Sequence, residues 1–133
     1  MRRTHAAVLL LALVAGCRRP SLEASEAARR QRLLARIDTL PRLEAEQRAW
    51  PRGDTLACDE RATARAGEID ALRAELEELS ASLGVRQDLA PIFEACEELK
   101  GCARCDEGSA ARCSRTRELL LTAQLAVRRA GLR

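Results

Sequence analysis

The chain has no tyrosine, one phenylalanine and one tryptophan in 133 residues. With so little aromatic volume the core falls to Leu, Ile, Val and Ala, and such side chains suit close helix packing better than a β-sandwich. Histidine occurs once, at His5, and lysine once, at Lys100. The seven glycines are scattered as turns and caps, so no Gly-rich phosphate loop is present. No long apolar run exists either. The one hydrophobic stretch, near the start, is about half of the roughly 20 residues that a transmembrane helix needs.

That stretch has the form of an export signal. Arg2 and Arg3 make a positive n-region, Ala6 to Leu13 an apolar h-region, and Val14-Ala15-Gly16-Cys17 a run of small residues closing on a cysteine. The last four residues resemble the lipobox of bacterial lipoprotein precursors. The resemblance covers the signal alone and implies cleavage between Gly16 and Cys17, with a diacylglyceryl group on the Cys17 thiol, commonly an acyl group on the new amine, and no cofactor besides this covalent lipid. The alternative, an ordinary cleaved signal with an incidental Cys17, is disfavoured because the cysteine follows small residues directly at the end of the h-region, and Thr4-His5-Ala6 lacks the hydrophobic residue of a twin-arginine signal. Residues 1–16 are thus read as a signal peptide, 17–21 as a lipidated N-terminus and short tether, and 22–133 as one helical domain. Arg18, following the cysteine, lacks the aspartate that goes with inner-membrane retention in such lipoproteins. The resemblance therefore implies an outer-membrane protein facing the periplasm, held by two or more acyl chains.

Removing the signal changes the inventory. From Cys17 onward 21 Arg+Lys face 20 Asp+Glu, a net charge of +1 instead of the whole chain's +3. A nucleic-acid partner is disfavoured, since that binding rests on many uncompensated cations near phosphates. The charge is uneven, however: +4 over 17–53, −7 over 54–100 and +4 over 101–133. An acidic middle between basic flanks favours neighbours packing within one molecule, and serves an oligomer equally.

Apolar spacing predicts helices throughout, and no strand. The first segment runs from Ser21 or Leu22 to about Trp50, with Leu33, Ile37, Leu40 and Leu43 along one face and a kink or break at Pro41. Asp54 is placed to cap a second helix over about Thr55 to Leu83. There Cys58, Ala62, Arg65, Ile69, Leu72, Leu76, Leu79 and Leu83 follow at spacings of four and three, a heptad seam interrupted only by Arg65. This seam is the core stripe of a compact bundle or, less favoured on so short a chain, an intermolecular coiled coil. Gly84 supplies a left-handed cap. A third helix is expected from Asp88 as N-cap to Gly101 as stop, with Pro91 in its first turn and Leu89, Ile92, Phe93, Cys96 and Leu99 inward. After a loop over 101–108, Ser109 would cap a fourth helix reaching about Ala130, with Cys113, Leu120, Ala123 and Val127 on one face. The expected fold is all-α: a small helical bundle or two helical hairpins, braced by disulfides.

Five cysteines remain beyond Cys17, an odd number. In an exported chain they read first as disulfides. The preferred pairing is Cys96 with Cys113 and Cys102 with Cys105, because Cys96 and Cys113 flank the Cys102–Cys105 loop almost symmetrically. Cys58 is then left unpaired, free to bridge to another copy; a rival pairing joins Cys58 to Cys113 or Cys96. Two sharper readings compete. Cys102-Ala103-Arg104-Cys105 has the C-x-x-C spacing of redox-active pairs, without the βαβ context such pairs occupy. Cys96, Cys102, Cys105 and Cys113 match a four-thiolate zinc site in number but poorly in spacing. Covalent haem is excluded because Asp106 stands where C-x-x-C-H needs histidine.

Catalysis finds no residues to carry it. His5 leaves with the signal, so Ser-His-Asp and Cys-His sites are out of reach. Glu77-Glu78, Glu97-Glu98 and Asp106-Glu107 are adjacent pairs whose members point apart. The reading is a lipid-anchored envelope protein, not an enzyme, without metal or small-molecule substrate, acting structurally or by binding an envelope protein or a second copy of itself. The alternative is a thiol-disulfide or metal-handling protein built on Cys102 and Cys105.

Overall fold

A computed structural model describes residues 22–133; Gly16, Cys17 and the rest of the signal and tether lie outside the described residues. Five helices follow in order: α1 (Leu22–Ile37), α2 (Thr39–Arg48), α3 (Thr55–Ser82), α4 (Ala90–Cys102) and α5 (Ser109–Arg129). The fold is all-α, a small disulfide-braced bundle, as the apolar spacing implied. None of the described helices is long and apolar enough to cross a membrane.

The break in the first arm falls at Asp38, three residues before Pro41. The reason is local. A proline ring collides with the carbonyl four residues back, here that of Ile37, so α1 ends there. Pro41 then sits in the first turn of α2, where its missing N–H has no helical acceptor to satisfy. Leu33, Ile37, Leu40 and Leu43 stay buried across the break, so one apolar face continues through both pieces.

Asp54 caps α3 by accepting a hydrogen bond from the Ala57 amide at 3.1 Å. At the other end Gly84 adopts φ +70°, with its amide bonded to the Ala81 carbonyl and the Val85 amide to that of Ser80. That pair of bonds is a Schellman cap, which needs the left-handed residue only glycine adopts without cost. Along the seam Cys58, Ile69, Leu76 and Leu79 are buried, while Ala62, Leu72 and Leu83 are half-buried. Two starts differ from expectation by one residue. Leu89, not Asp88, precedes α4, and Gly108 precedes α5, leaving Ser109 as its buried first residue.

All neighbouring arms run antiparallel. Arg65 meets Glu46 while Arg32 and Arg36 meet Glu75, which sets α1 and α2 against α3. Lys100 meets Asp70 and Arg73 meets Glu97, which sets α4 against α3. Arg117 meets Glu44 and Arg30 reaches the Gly131 carbonyl, which sets α5 against the first arm. The heptad stripe of α3 therefore faces α1 and α4 of its own chain. One apolar cluster joins all five helices, from Leu33 and Ile37 through Ile69 and Leu76 to Leu99, Leu119 and Val127.

Candidate functional site

The cysteines gather at one end of the bundle, around the start of α3 and the α4–α5 loop. Cys58, in the first turn of α3, is bonded to Cys105 in that loop, with Cα atoms 6.0 Å apart. Cys102 is bonded to Cys113 across the α4–α5 hairpin, with Cα atoms 4.6 Å apart. Cys96 is free and buried. This corrects the expected pairing of Cys96 with Cys113 and Cys102 with Cys105, and it corrects Cys58 as the unpaired thiol.

The reason lies in where α4 ends. The helix continues through Gly101 to Cys102 instead of stopping at Gly101. Cys102 is thereby carried to the mouth of the hairpin facing Cys113, and the chain turns over residues 103–108 so that Cys105 is delivered to α3. Cys96 stands almost two turns up the helix, inside the leucine cluster. Burial there pushes its thiol up to about 12, so it is held as an inert, neutral thiol. Gly101 is needed for a different reason than stopping the helix: a Cβ at that position would strike the side chain of Arg112.

Beside the Cys58–Cys105 bridge, α3 and the end of α4 enclose an open groove of about 960 Å³. Its walls are charged. Lys100 Nζ lies 2.9 Å from Asp70 and 3.0 Å from Glu97, and hydrogen bonds from the ammonium to these carboxylates raise the lysine above its ordinary value. Glu97 also pairs with Arg73, and Arg112 lies 3.1 Å from Asp106 while donating to the Gly101 carbonyl at 3.4 Å. Asp70, Glu97, Lys100, Asp106 and Arg112 are thus tied up in ion pairs, Asp59, Glu98 and Arg104 line the groove without one among the described residues, and Cys105 is already consumed in a bridge. Among the described residues no three His, Cys, Asp or Glu side chains converge as a metal site requires. Cys102 and Cys105, the pair of the redox and metal alternatives, lie in two different disulfides. Glu77-Glu78 and Asp106-Glu107 contribute single carboxylates to ion pairs, not joined pairs.

Two further arrangements at this end were not foreseen. Trp50 lies beneath two guanidinium groups, Arg61 at 5.6 Å and Arg65 at 5.0 Å from its ring centre. Arg65 also pairs with Glu46 at 3.0 Å and Glu68 at 3.1 Å. The charged break in the seam is thus a joint between the α2–α3 turn and α3. Gln47, fully buried, donates to the Leu99 carbonyl at 2.8 Å and ties α2 to the last turn of α4. Neither contact has a signal in spacing, because both join segments distant in the chain. Comparison with protein-family models, curated proteins and solved structures finds no match.

Proposed function

We propose that this protein is a bacterial lipoprotein of the cell envelope, anchored through Cys17, whose helical body acts structurally or by binding another envelope protein. The observation that carries the reading is Val14-Ala15-Gly16-Cys17 closing an n-region and h-region of export type. The body is in keeping with it. Two disulfides are the chemistry of an oxidising compartment, and their cysteines lie outside the apolar cluster. Following the same sorting pattern, Arg18 after the anchor favours the outer membrane, facing the periplasm. The body acts without catalysis on this reading, because the one histidine leaves with the signal and the cysteines of the described residues are bridged or buried.

Replacement Cys17→Ser tests the anchor. The variant should accumulate unprocessed and the protein should leave the lipid-modified fraction; unchanged processing and membrane association would overturn the proposal. A thiol count tests the body. Under native, non-reducing conditions no thiol should react with an alkylating reagent, and one, Cys96, should react on unfolding. Three or more reactive thiols, or bound zinc, would favour the thiol-disulfide or metal-handling alternative. Cross-linking in intact membranes would then identify the partner.

A further inference from the structure

The outward face of α5 carries a pattern that the packing of the bundle does not use. Leu121 and Leu125, one turn apart, are 65% and 50% exposed, two of the four large apolar side chains left open to solvent among the described residues. Over its whole length α5 holds five arginines against one glutamate, a net +4; Arg112, Arg115 and Arg117 are engaged with Asp106, Glu118 and Glu44, while Arg128 and Arg129 stand one turn beyond Leu125. By contrast α3 holds seven acids against three arginines, net −4, and α4 is net −2. The bundle is therefore polarised sideways, with its basic side on α5. Arg128 and Arg129 are exposed and in no ion pair among the described residues. Leucines interleaved with arginines on one solvent face form the pattern of a helix lying at a membrane surface.

We propose that the outward face of α5 rests on the anionic phospholipid surface to which Cys17 ties the chain, a proposal that builds on the lipidation reading. Reach permits this. Arg30 donates to the Gly131 carbonyl at 3.1 Å, so the end of α5 lies beside the third turn of α1. Leu22, the first described residue, is eight residues before that contact, roughly 12 Å along the helix. The five residues from Cys17 to Leu22 span at most about 18 Å. The lipid thus holds the body within reach of the bilayer on the side where α5 ends. Leu22 is itself 89% exposed, and α1 contributes Arg29, exposed beside the same contact. Opposite charge selects the occupant: phosphatidylglycerol-like headgroups for the arginines, and the upper acyl region for the two leucines.

The test uses the mature protein purified from membranes and reconstituted on phosphatidylethanolamine vesicles with or without phosphatidylglycerol. Phenylglyoxal modification of each arginine is followed by mass spectrometry. On the anionic vesicles Arg128 and Arg129 should react about fivefold more slowly, the factor that one arginine near such a surface contributes. High salt should abolish the difference. Arg52 and Arg104, exposed at the opposite end of the bundle, should react equally on both vesicles and serve as internal controls. The double replacement Leu121→Ser and Leu125→Ser should remove the protection without changing the helix content. Equal reactivity of Arg128 and Arg129 on both vesicles overturns the proposal, and so does protection that appears on neutral vesicles with rising protein concentration, which marks a second copy as the occupant. The intact mass of the same sample reports lipid on Cys17, so failure of the anchor registers separately. An unlipidated chain sedimented with the same vesicles still tests the α5 face.

Discussion

At the end of the bundle where α3 finishes and α5 meets α1, the helices are held by Leu33, Leu76, Leu79, Ile92 and Val127, a continuous apolar cluster closed by glycine caps at Gly84 and Gly131. At the opposite end the half-buried positions in the early turns of α3 include Ala57, Ala62 and Ala66, side chains too small to fill the same space, and two disulfides, the Trp50 clamp and the Gln47 hydrogen bond take over. The first kind of cohesion scales with apolar area removed from water. The disulfides of the second act on the unfolded chain, by shortening the loops it can explore. A small domain with few aromatics has limited core to distribute. Concentrating leucine at one end and cystine at the other holds both without adding residues.

The strongest way to break this comparison is to remove the Cys58–Cys105 bridge, which spans 47 residues. The double replacement with serine should cost about 4 kcal/mol on the loop-entropy scale, and the Cys102–Cys113 bridge, spanning 11, about 3 kcal/mol. Urea unfolding under non-reducing conditions would measure both. Hydrogen exchange would add the location: faster exchange in the first turns of α3 and the 103–108 loop, with amides around Leu76 still protected. Equal loss at both ends would show one cooperative unit in place of two differently held regions.

Leu76→Ala attacks the other end. It is fully buried, and truncation should cost about 3 kcal/mol through lost transfer energy and the cavity left behind. Its exchange signature should be global, since the cluster joins all five helices. Gln47→Ala removes the buried side-chain donor to the Leu99 carbonyl, and about 2 kcal/mol is expected from the lost bond and packing. Gly84→Ala should cost about 1 kcal/mol, the penalty of a Cβ at φ +70°, with no clash to add because no atom lies within 4 Å of that Cβ.

The smallest effect concerns pH. Partial burial pushes the Glu75 carboxyl up, but hydrogen bonds from Arg32 and Arg36 outweigh this and hold it below its ordinary value of 4.5. The stabilisation is therefore present above pH 4.5 and is lost as pH falls through the depressed value. The pair network is half-exposed, so about 0.5 kcal/mol is at stake. Glu75→Gln should flatten that part of the acid limb in a pH series of unfolding midpoints. An unchanged limb would place the acid sensitivity at other carboxylates.

Much of the fold was legible because its signals are local. Asp54, Gly84 and the alternating four-three seam each act within a turn or two of their own position. Pro41 announced a break, and the clash with the Ile37 carbonyl moved it three residues upstream. The cysteine site was legible only as a cluster. Symmetry about the 102–105 loop pointed to Cys96 and Cys113, whereas one extra helical residue at Cys102 turned the partner choice over. The exposed Leu121 and Leu125 also stood in plain view, four apart and off the Cys113–Leu120–Val127 face, yet the helical period alone does not say that nothing in the bundle covers them.

The order of residues by itself determined that the body is helical, where most helices begin and end, that its core is aliphatic, and that five thiols follow Cys17. Periodicity and capping are properties of a few consecutive residues. Tertiary structure alone decided which cysteines meet, which charge breaks are joints, and which leucines are left outside. Those outcomes depend on how far each helix runs before it turns and on the antiparallel register that follows, so residues 47 apart in sequence come within one bond while Cys96, six from Cys102, stays sealed in the core.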